Sequence, residues 1–426
     1  MSAPRISVLI LGSGGREHAL AWKCAQSPLL KKLYCAPGSD AIKELAECVA
    51  VDMNDGKAVA DFCAKKKIEL VIVGPEGPLA NGVADVLRKA GVKTFGPGKD
   101  GAKLEFSKAY SKEFMKRHKI PTARFEVFTE AQMARSAAEA KRLPLVLKAD
   151  GLAAGKGVFV CKTTNEALGA VTELMDNDSL GEAGRTVIIE DCLVGPELSV
   201  LFFCDGKDYR LLPPSRDHKR LKDNDEGPNT GGMGVFAPVP IDAALIETIK
   251  TEVLDRVMKG LSADGIDYRG LLYAGIMLTP EGPKLLEFNC RFGDPETQAL
   301  LPLLDSDLVE LSLACAEQKL SSVQIKTKPG ACVCVTLASP GYPASSTKDL
   351  PISGLDSLGK DVVAFHAGTK KPAQTWLTNG GRVLGVTARG ADLAQAREAA
   401  YKAVSKINFE GMQFRTDIAA PLPALK

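Results

Sequence analysis

Strand-sized apolar runs that end in glycine or proline recur four times in the first hundred residues, and this limits the possible folds more than any other feature. The runs are ISVLILG from Ile6, KKLYCAPG from Lys31, ELVIVGPEGP from Glu69 and VKTFGPG from Val92. After the first comes GSGG and then REHALAWKCAQS, whose apolar residues have helical spacing. Strand, turn and helix in repetition predict an open parallel sheet ending near Gly101. Such sheets bind ligands beyond the carboxyl ends of their strands, where these Gly-rich pieces fall.

The 426 residues suggest roughly three domains. The segment LEFSKAYSKEFMKRHK from Leu104 reads as helical, and LPLVLKADGLAAGKGVFVCK from Leu143 as a hairpin around a Gly/Ala loop. EALGAVTELM is a short helix and RTVIIEDCL a strand. LSVLFFC and YRLLP are further strands, followed by a polar loop from Ser215 to Gly234. Residues 242–264 read as a helix, and LLYAGIMLT and PKLLEFN as a strand pair. The polar stretch 319–330 is the best linker. Beyond it lies a small α+β unit with a helix over Asp392–Lys406.

Composition narrows the function. Lys+Arg minus Asp+Glu is 54 − 52 = +2, which argues against a broad nucleic-acid footprint but permits a local phosphate site. No apolar run approaches the roughly 18 residues of a membrane span, and the start reads as a first strand, without a signal-peptide pattern. The eleven cysteines are scattered and include no C-x-x-C pair; they read as buried, reduced thiols of a cytosolic protein, with Cys332 and Cys334 on one side of a strand. Only four histidines occur, and no two are close in sequence, which removes most zinc-site readings.

Five motifs carry candidate chemistry. Gly12-Ser-Gly14-Gly15-Arg16-Glu17-His18 follows a strand and opens a helix, so its N–H groups suit a phosphate, with Arg16 as partner. Glu17 occupies the third glycine position of a dinucleotide fingerprint, which argues against a dehydrogenase; a plain tight turn is the alternative. Gly151-Leu-Ala-Ala154-Gly155-Lys156-Gly157 fails as a Walker A loop, having Asp150 at the first glycine position and Gly157 after the lysine, yet such a hairpin tip can close over phosphates. The alternative is a flexible surface hairpin. Lys148, ending an apolar strand, needs an anionic partner. The strand ending Glu190-Asp191-Cys192-Leu193, with Glu197 beyond it, suits a nucleotide's adenine edge and ribose but by itself is no stronger than an ordinary strand end.

The fourth motif is Glu287-Phe-Asn289-Cys-Arg291-Phe-Gly-Asp294-Pro-Glu296. Glu287 and Asn289 share one strand face and offer hard oxygen ligands suited to Mg²⁺. Arg291 continues that face toward a transferring phosphoryl group; a salt-bridged strand end is the alternative. The fifth is Ser215-Arg-Asp217-His218-Lys219-Arg220 with Gly227-Pro-Asn229-Thr-Gly-Gly-Met-Gly234, a solvated loop or an active-site lid.

Taken in order, these motifs resemble the ATP-grasp ligases. The runs GGREHALAW, VGPE, FGP, SKAYSKEFM, KADGLAAGKGV, DHKR, GPNTGGMG, LYAGIM, EFNCRFGDPETQ, FHAGT and GGRVLGVTA narrow this to a resemblance to the phosphoribosylamine–glycine ligase (glycinamide ribonucleotide synthetase) family, from residue 5 to about residue 418. The resemblance implies an α/β and α+β multidomain chain. A Rossmann-like substrate domain (1–103) precedes an ATP-grasp core (104–121 and 190–325) with a lid subdomain (122–189), and a C-terminal α+β domain (328–426) follows. It implies ATP-dependent joining of glycine to 5-phosphoribosylamine in purine synthesis through a glycyl-phosphate, with Mg²⁺ or Mn²⁺. It implies a cytoplasmic monomer or weak homodimer with small-molecule partners only, without nucleic acid or membrane.

By position, the resemblance puts Lys108 and Lys148 on ATP, Gly151 to Val158 (with Ala154, Gly155, Lys156 and Gly157) over its phosphates, and Glu190, Asp191, Cys192 and Leu193 at adenine. Glu197 would hold the ribose, and Lys219 would also reach ATP. Glu287 and Asn289 would bind the metal, and Arg291 would stabilise the moving phosphoryl group. Asp217 and Asp294 would orient the amine substrates. Gly14, Gly15, Arg16, Glu17, Pro75, Glu76 and Asn229 would bind substrate. The lid, 122–189, is expected to move as a hinged unit. The chain departs from the family pattern in several places. Pro37-Gly-Ser-Asp-Ala-Ile42 replaces P-G-N-A-G-T, Pro196 replaces the first Glu of the hinge, Arg216 stands for Gln, and Gly341-Tyr-Pro lacks the usual Gly-Asp-Tyr. Two other readings compete: another ATP-grasp ligase or carboxylase, and a non-catalytic nucleotide-binding scaffold whose only support is the 37–42 loop.

Overall fold

A computed structural model describes residues 4–151, 157–177 and 181–420. The N-terminal sheet is parallel, in the order Glu47–Cys48, Leu30–Pro37, Ile6–Gly12, Leu70–Val73, Lys93–Phe95. All seven residues of the central strand are buried, because it is covered on both faces. Period-two alternation divides its side chains. Leu9 and Leu11 pack with Val59 and Leu87 on one side; Val8 and Ile10 pack with Leu20, Leu300 and Cys334 on the other. The second face therefore joins the N-terminal unit to the middle and end of the chain.

Two antiparallel four-stranded sheets form the next region. One has the order Tyr209–Leu211, Glu197–Cys204, Gly270–Thr279, Gly282–Asn289. The other, smaller one has the order Phe125–Phe128, Val187–Asp191, Leu145–Ala149, Val158–Cys161. In the smaller sheet Leu145, Leu147, Val187 and Ile189 face the helices Ala131–Ala140 and Thr164–Val171. Lys148 and Glu190, in the alternate register, point the other way. The hairpin expected around residues 151–157 is present as the antiparallel pair Leu145–Ala149 and Val158–Cys161.

Two expectations are corrected. The segment 215–234 is not a loop: Arg216–Asp217 is a strand, and Arg220–Lys222 pairs with Glu226–Asn229 in a ribbon. Arg415, 1% exposed, holds that ribbon through Asp225 at 2.7 Å, so its hydrogen-bonding comes from a distant tail rather than an apolar pattern. The stretch 319–330 is pinned: Asp305 N–H donates to Lys326 O at 2.9 Å, and Leu304 bridges Thr327. Two elements run across expected domain limits. The 103/104 limit lies inside the helix Lys99–Phe106, and the 189/190 limit inside the strand Val187–Asp191. The last sheet, ordered Arg216–Asp217, Gly234–Ala237, Ala331–Ala338, Arg382–Gly390, Val362–His366, takes its first two strands from the central region. Among the described residues no helix is long and apolar enough to cross a membrane, and all eleven cysteines are free.

Candidate active site

The cleft lies between the inner face of the smaller sheet and the strand Gly282–Asn289. On the smaller sheet, the Glu190 carboxylate sits 3.0 Å from Lys148 Nζ and 2.9 Å from Lys112 Nζ. Lys148 thus has the anionic partner its position requires. Lys112 was missed in the sequence, where it reads as one more lysine of an amphipathic helix. It is 2% exposed and donates to Thr122 Oγ1 at 2.7 Å. Burial pulls its ammonium down to about 8, against the pull of Glu190.

Lys108 donates to Gly151 O at 3.2 Å, and Asp150 accepts from Ala109 N–H at 3.0 Å and Ser107 Oγ at 3.2 Å. These contacts fasten the start of the Gly-rich loop. Ala154, Gly155 and Lys156 lie outside the described residues. Gly157 O accepts from Ala149 N–H at 2.8 Å. At the hinge, the Asp191 and Cys192 amides are already bonded to the Arg124 and Pro144 carbonyls, at 3.0 and 3.3 Å. The Asp191 side chain is exposed, while Leu193 is half-buried.

Across the cleft, Lys219 Nζ stands 3.1 Å from Glu197 Oε2. Burial opposes the Lys219 charge, yet Asp217, Tyr273, Glu197 and Glu287 together hold its pKa well above the ordinary value. Glu287 shows the converse. Burial raises a carboxyl, but Lys219, Lys148, Lys108 and Arg291 bring it below its ordinary value. Four cations from four segments converge on one carboxylate, an arrangement suited to a polyphosphate bridged by a divalent cation. Asn289 Oδ1 accepts from Arg291 Nη2 at 3.3 Å. Among the described residues no three His, Cys, Asp or Glu side chains gather as a metal cage. One carboxylate and one amide oxygen fit Mg²⁺, which keeps waters and substrate phosphates as its other ligands.

Arg291 pairs with Glu105 Oε1 at 2.8 Å and faces Glu76 Oε2 at 3.4 Å. Glu105, also missed in the sequence, is buried and accepts from Cys290 N–H at 2.6 Å; burial raises its pKa. Arg16 reaches Phe292 O at 3.2 Å, and its N–H meets Asp294 Oδ2 at 3.3 Å. Glu17 closes its own turn: its oxygens take Gly14 N–H at 2.7 Å and Arg16 Nε at 2.5 Å. Gly15 abuts Gln298, and Pro75 precedes the short helix that begins at Glu76. Asn229 lies on the exposed ribbon.

Two further groups lie in quoted motifs, Glu296 in the fourth and Arg382 in GGRVLGVTA, but had no role assigned from the sequence. Arg382, from the last sheet, donates to Asp294 O at 2.8 Å and Gly231 O at 2.6 Å, tying the GPNTGGMG segment to Asp294. Burial raises the Asp294 pKa, but Arg382 and Arg16 bring it below the ordinary value. Glu296 is buried at the start of a helix; burial and the nearby Asp217 push its pKa up to about 7. The Asp217 pKa is raised chiefly by burial.

A lid-like sheet facing a second antiparallel sheet across a cation-lined cleft defines an ATP-grasp enzyme. Family models agree over most of the length. The phosphoribosylglycinamide synthetase N domain matches residues 6–105, the ATP-grasp (A) domain 106–297 and the C domain 332–421. The chain belongs to the phosphoribosylglycinamide synthetase family. It is 47% identical to phosphoribosylamine–glycine ligase of Nostoc sp., over 97% of this chain and 99% of that one. It is 50% identical to the trifunctional purine biosynthetic protein adenosine-3 of Gallus gallus, over 96% of this chain. It spans 42% of that protein's length, and 31% of its Drosophila melanogaster counterpart. The crystal structure of phosphoribosylamine–glycine ligase from Thermotoga maritima superposes with a TM-score of 0.84 at 35% identity, over 97% of this chain and all of that one. A biotin carboxylase–ATP complex from Campylobacter jejuni shares the fold at 16% identity, with a TM-score of 0.73, over 96% of this chain and 92% of that one.

Proposed function

We propose that this chain joins glycine to 5-phosphoribosylamine at the expense of ATP, releasing ADP and phosphate. The observation that carries the reading is the convergence of Lys108, Lys148, Lys219 and Arg291 on Glu287. Lys108, Lys148 and Lys219 neutralise the ATP phosphates, and Glu197 takes the ribose hydroxyls. Glu190, held by two lysines, stands at the adenine end. Glu287 and Asn289 would hold a Mg²⁺, which would supply charge neutralisation at the phosphates.

A glycine carboxylate oxygen attacks the γ-phosphorus, and the bond to the β–γ bridging oxygen breaks, giving glycyl-phosphate and ADP. Arg291, fixed by Glu105, stabilises the charge on the moving phosphoryl group. The sugar amine then attacks the acyl carbon. The C–N bond forms, the acyl C–O bond breaks, phosphate leaves, and the amine gives up a proton. Asp217 and Asp294 orient the amines. Arg16 and Glu76, at the ends of the N-terminal strands, face the sugar-amine. The segment 122–189 closes over the cleft; its amides should gain hydrogen-exchange protection when ATP binds.

The test is ADP release with Mg-ATP, glycine and freshly prepared phosphoribosylamine, and with each omitted in turn. ADP is expected only with all three. Release independent of the sugar-amine would overturn the reading.

A further inference from the structure

The turn Pro37–Ile42, where the chain departs from its family's usual sequence, lies against the C-terminal domain. Between them is a cavity of about 310 Å³, with Ser13, Ser39 and Lys43 on one wall and Thr369, Lys370 and Asn379 on the other. Asp40 stands where the walls meet. Its Oδ1 accepts from Lys43 Nζ at 2.7 Å, and its Oδ2 from the Lys371 backbone N–H at 2.9 Å, 331 residues later. The Lys371 side chain reaches Glu44 at 3.4 Å.

The inner end of the same C-terminal loop is fixed separately. His366 N–H donates to His18 Nδ1 at 2.9 Å, and Ala367 packs on Gly15. The outer end pairs with Leu377–Thr378 inside its own domain, and Lys370 meets Asp349; Asp40 and Glu44 are the groups that tie it to the N-terminal turn. Lys43 and Lys370, each paired with one carboxylate (Asp40 and Asp349), line this cavity with hydroxyl groups and an amide; an ammonium so placed keeps further donors, and the set suits a phosphate monoester. Both Asp40 oxygens are already engaged, and Lys43 balances its charge, so Asp40 is a fastening rather than a ligand.

We propose that Asp40 is a positioning residue: it holds the outer end of loop 367–371 to the N-terminal turn and so sets the shape of a pocket for the phosphate ester of the sugar-amine. The identity of the phosphate ester rests on the ligase reading above.

The experiment compares wild type, Asp40→Asn and Asp40→Ala in steady-state kinetics with each of the three substrates varied. Asparagine keeps an oxygen for the Lys371 N–H; alanine does not. Asp40→Ala should raise KM for phosphoribosylamine about fivefold, the loss of one charge-assisted hydrogen bond. KM for ATP and glycine and kcat should stay within twofold, and Asp40→Asn should recover most of the loss. An unchanged KM for phosphoribosylamine in Asp40→Ala overturns the proposal, and so does an equal rise in all three KM values. Wild-type ADP release that ignores phosphoribosylamine would instead sink the ligase reading, a distinguishable result.

Discussion

Lys112 and Glu190 form an ion pair of 2.9 Å in which each side chain is 2% exposed. Removing Lys112 leaves the buried Glu190 with Lys148 alone, 3.0 Å away. Lys112→Met should cost about 1–3 kcal/mol of stability, since Glu190 keeps one of its two lysines and Thr122 loses its donor. It should also tilt Glu190 away from the cleft and weaken ATP binding more than glycine binding. Denaturant titration with and without ATP checks both effects.

The same lysine has a pH signature. Its folded pKa is about 8, below the ordinary 10.5. Between those values the unfolded chain binds more protons than the folded one, so this group makes stability rise with pH from about 8 to about 10.5. Unfolding free energies across that window should climb more in wild type than in Lys112→Met.

Glu296 works in the opposite direction. Its folded pKa is about 7, above the ordinary 4.5. The folded chain holds the extra proton, so the group's contribution is present below about 4.5 and is lost as pH rises toward 7. Glu296→Gln should remove that decline. Parallel melts at pH 5 and pH 7.5 would show the gap between variant and wild type change with pH; a constant gap would contradict the assignment.

Glu287→Ala should lower ADP release about a hundredfold or more, because the metal-bound phosphates lose their anchor. The melting temperature without nucleotide should fall modestly, because Lys219, Lys148, Lys108 and Arg291 lose the carboxylate that holds its charge among them. Turnover near the wild-type rate would remove Glu287 from the metal site.

Gly74→Ala tests the packing around Glu17. A Cβ there would lie 2.3 Å from Glu17 Oε1 and 2.6 Å from Leu11 O. Backbone must shift, at a cost of about 1–3 kcal/mol, and Glu17 must loosen its hold on Arg16. Lower thermal stability together with a raised KM for the sugar-amine is the expected outcome.

Much of this was legible in the sequence. The parallel sheet announced itself because doubly covered strands read as unbroken apolar runs, as in ISVLILG. Lys148 was legible because a charge ending such a run needs a partner. Glu105, Lys112 and Arg382 were not legible. Their partners lie 186, 78 and 88 residues away, at Arg291, Glu190 and Asp294, and nothing local in their own segments marks them as buried. The ribbon 220–229 was read as a loop because its order comes from Arg415. The Glu17 oxygens also close the first turn of their own helix; the i, i+3 spacing from Gly14 carries that signal only weakly when glycine is the cap.

The shared five-stranded sheet has a consequence for how the protein comes into being. The strand Gly234–Ala237 hydrogen-bonds to Ala331–Ala338, and the ribbon that follows Lys219 is held by Arg415. While the chain is still being synthesised, the first three hundred residues can supply the side chains of the candidate cleft, but not their final arrangement. The apolar strand GVFA waits with an unpaired edge, a surface prone to sticking to other chains. Assembly of the catalytic cleft is therefore among the last events in the molecule's birth, and a chain cut short before Arg415 would emerge inactive and adhesive rather than partly competent.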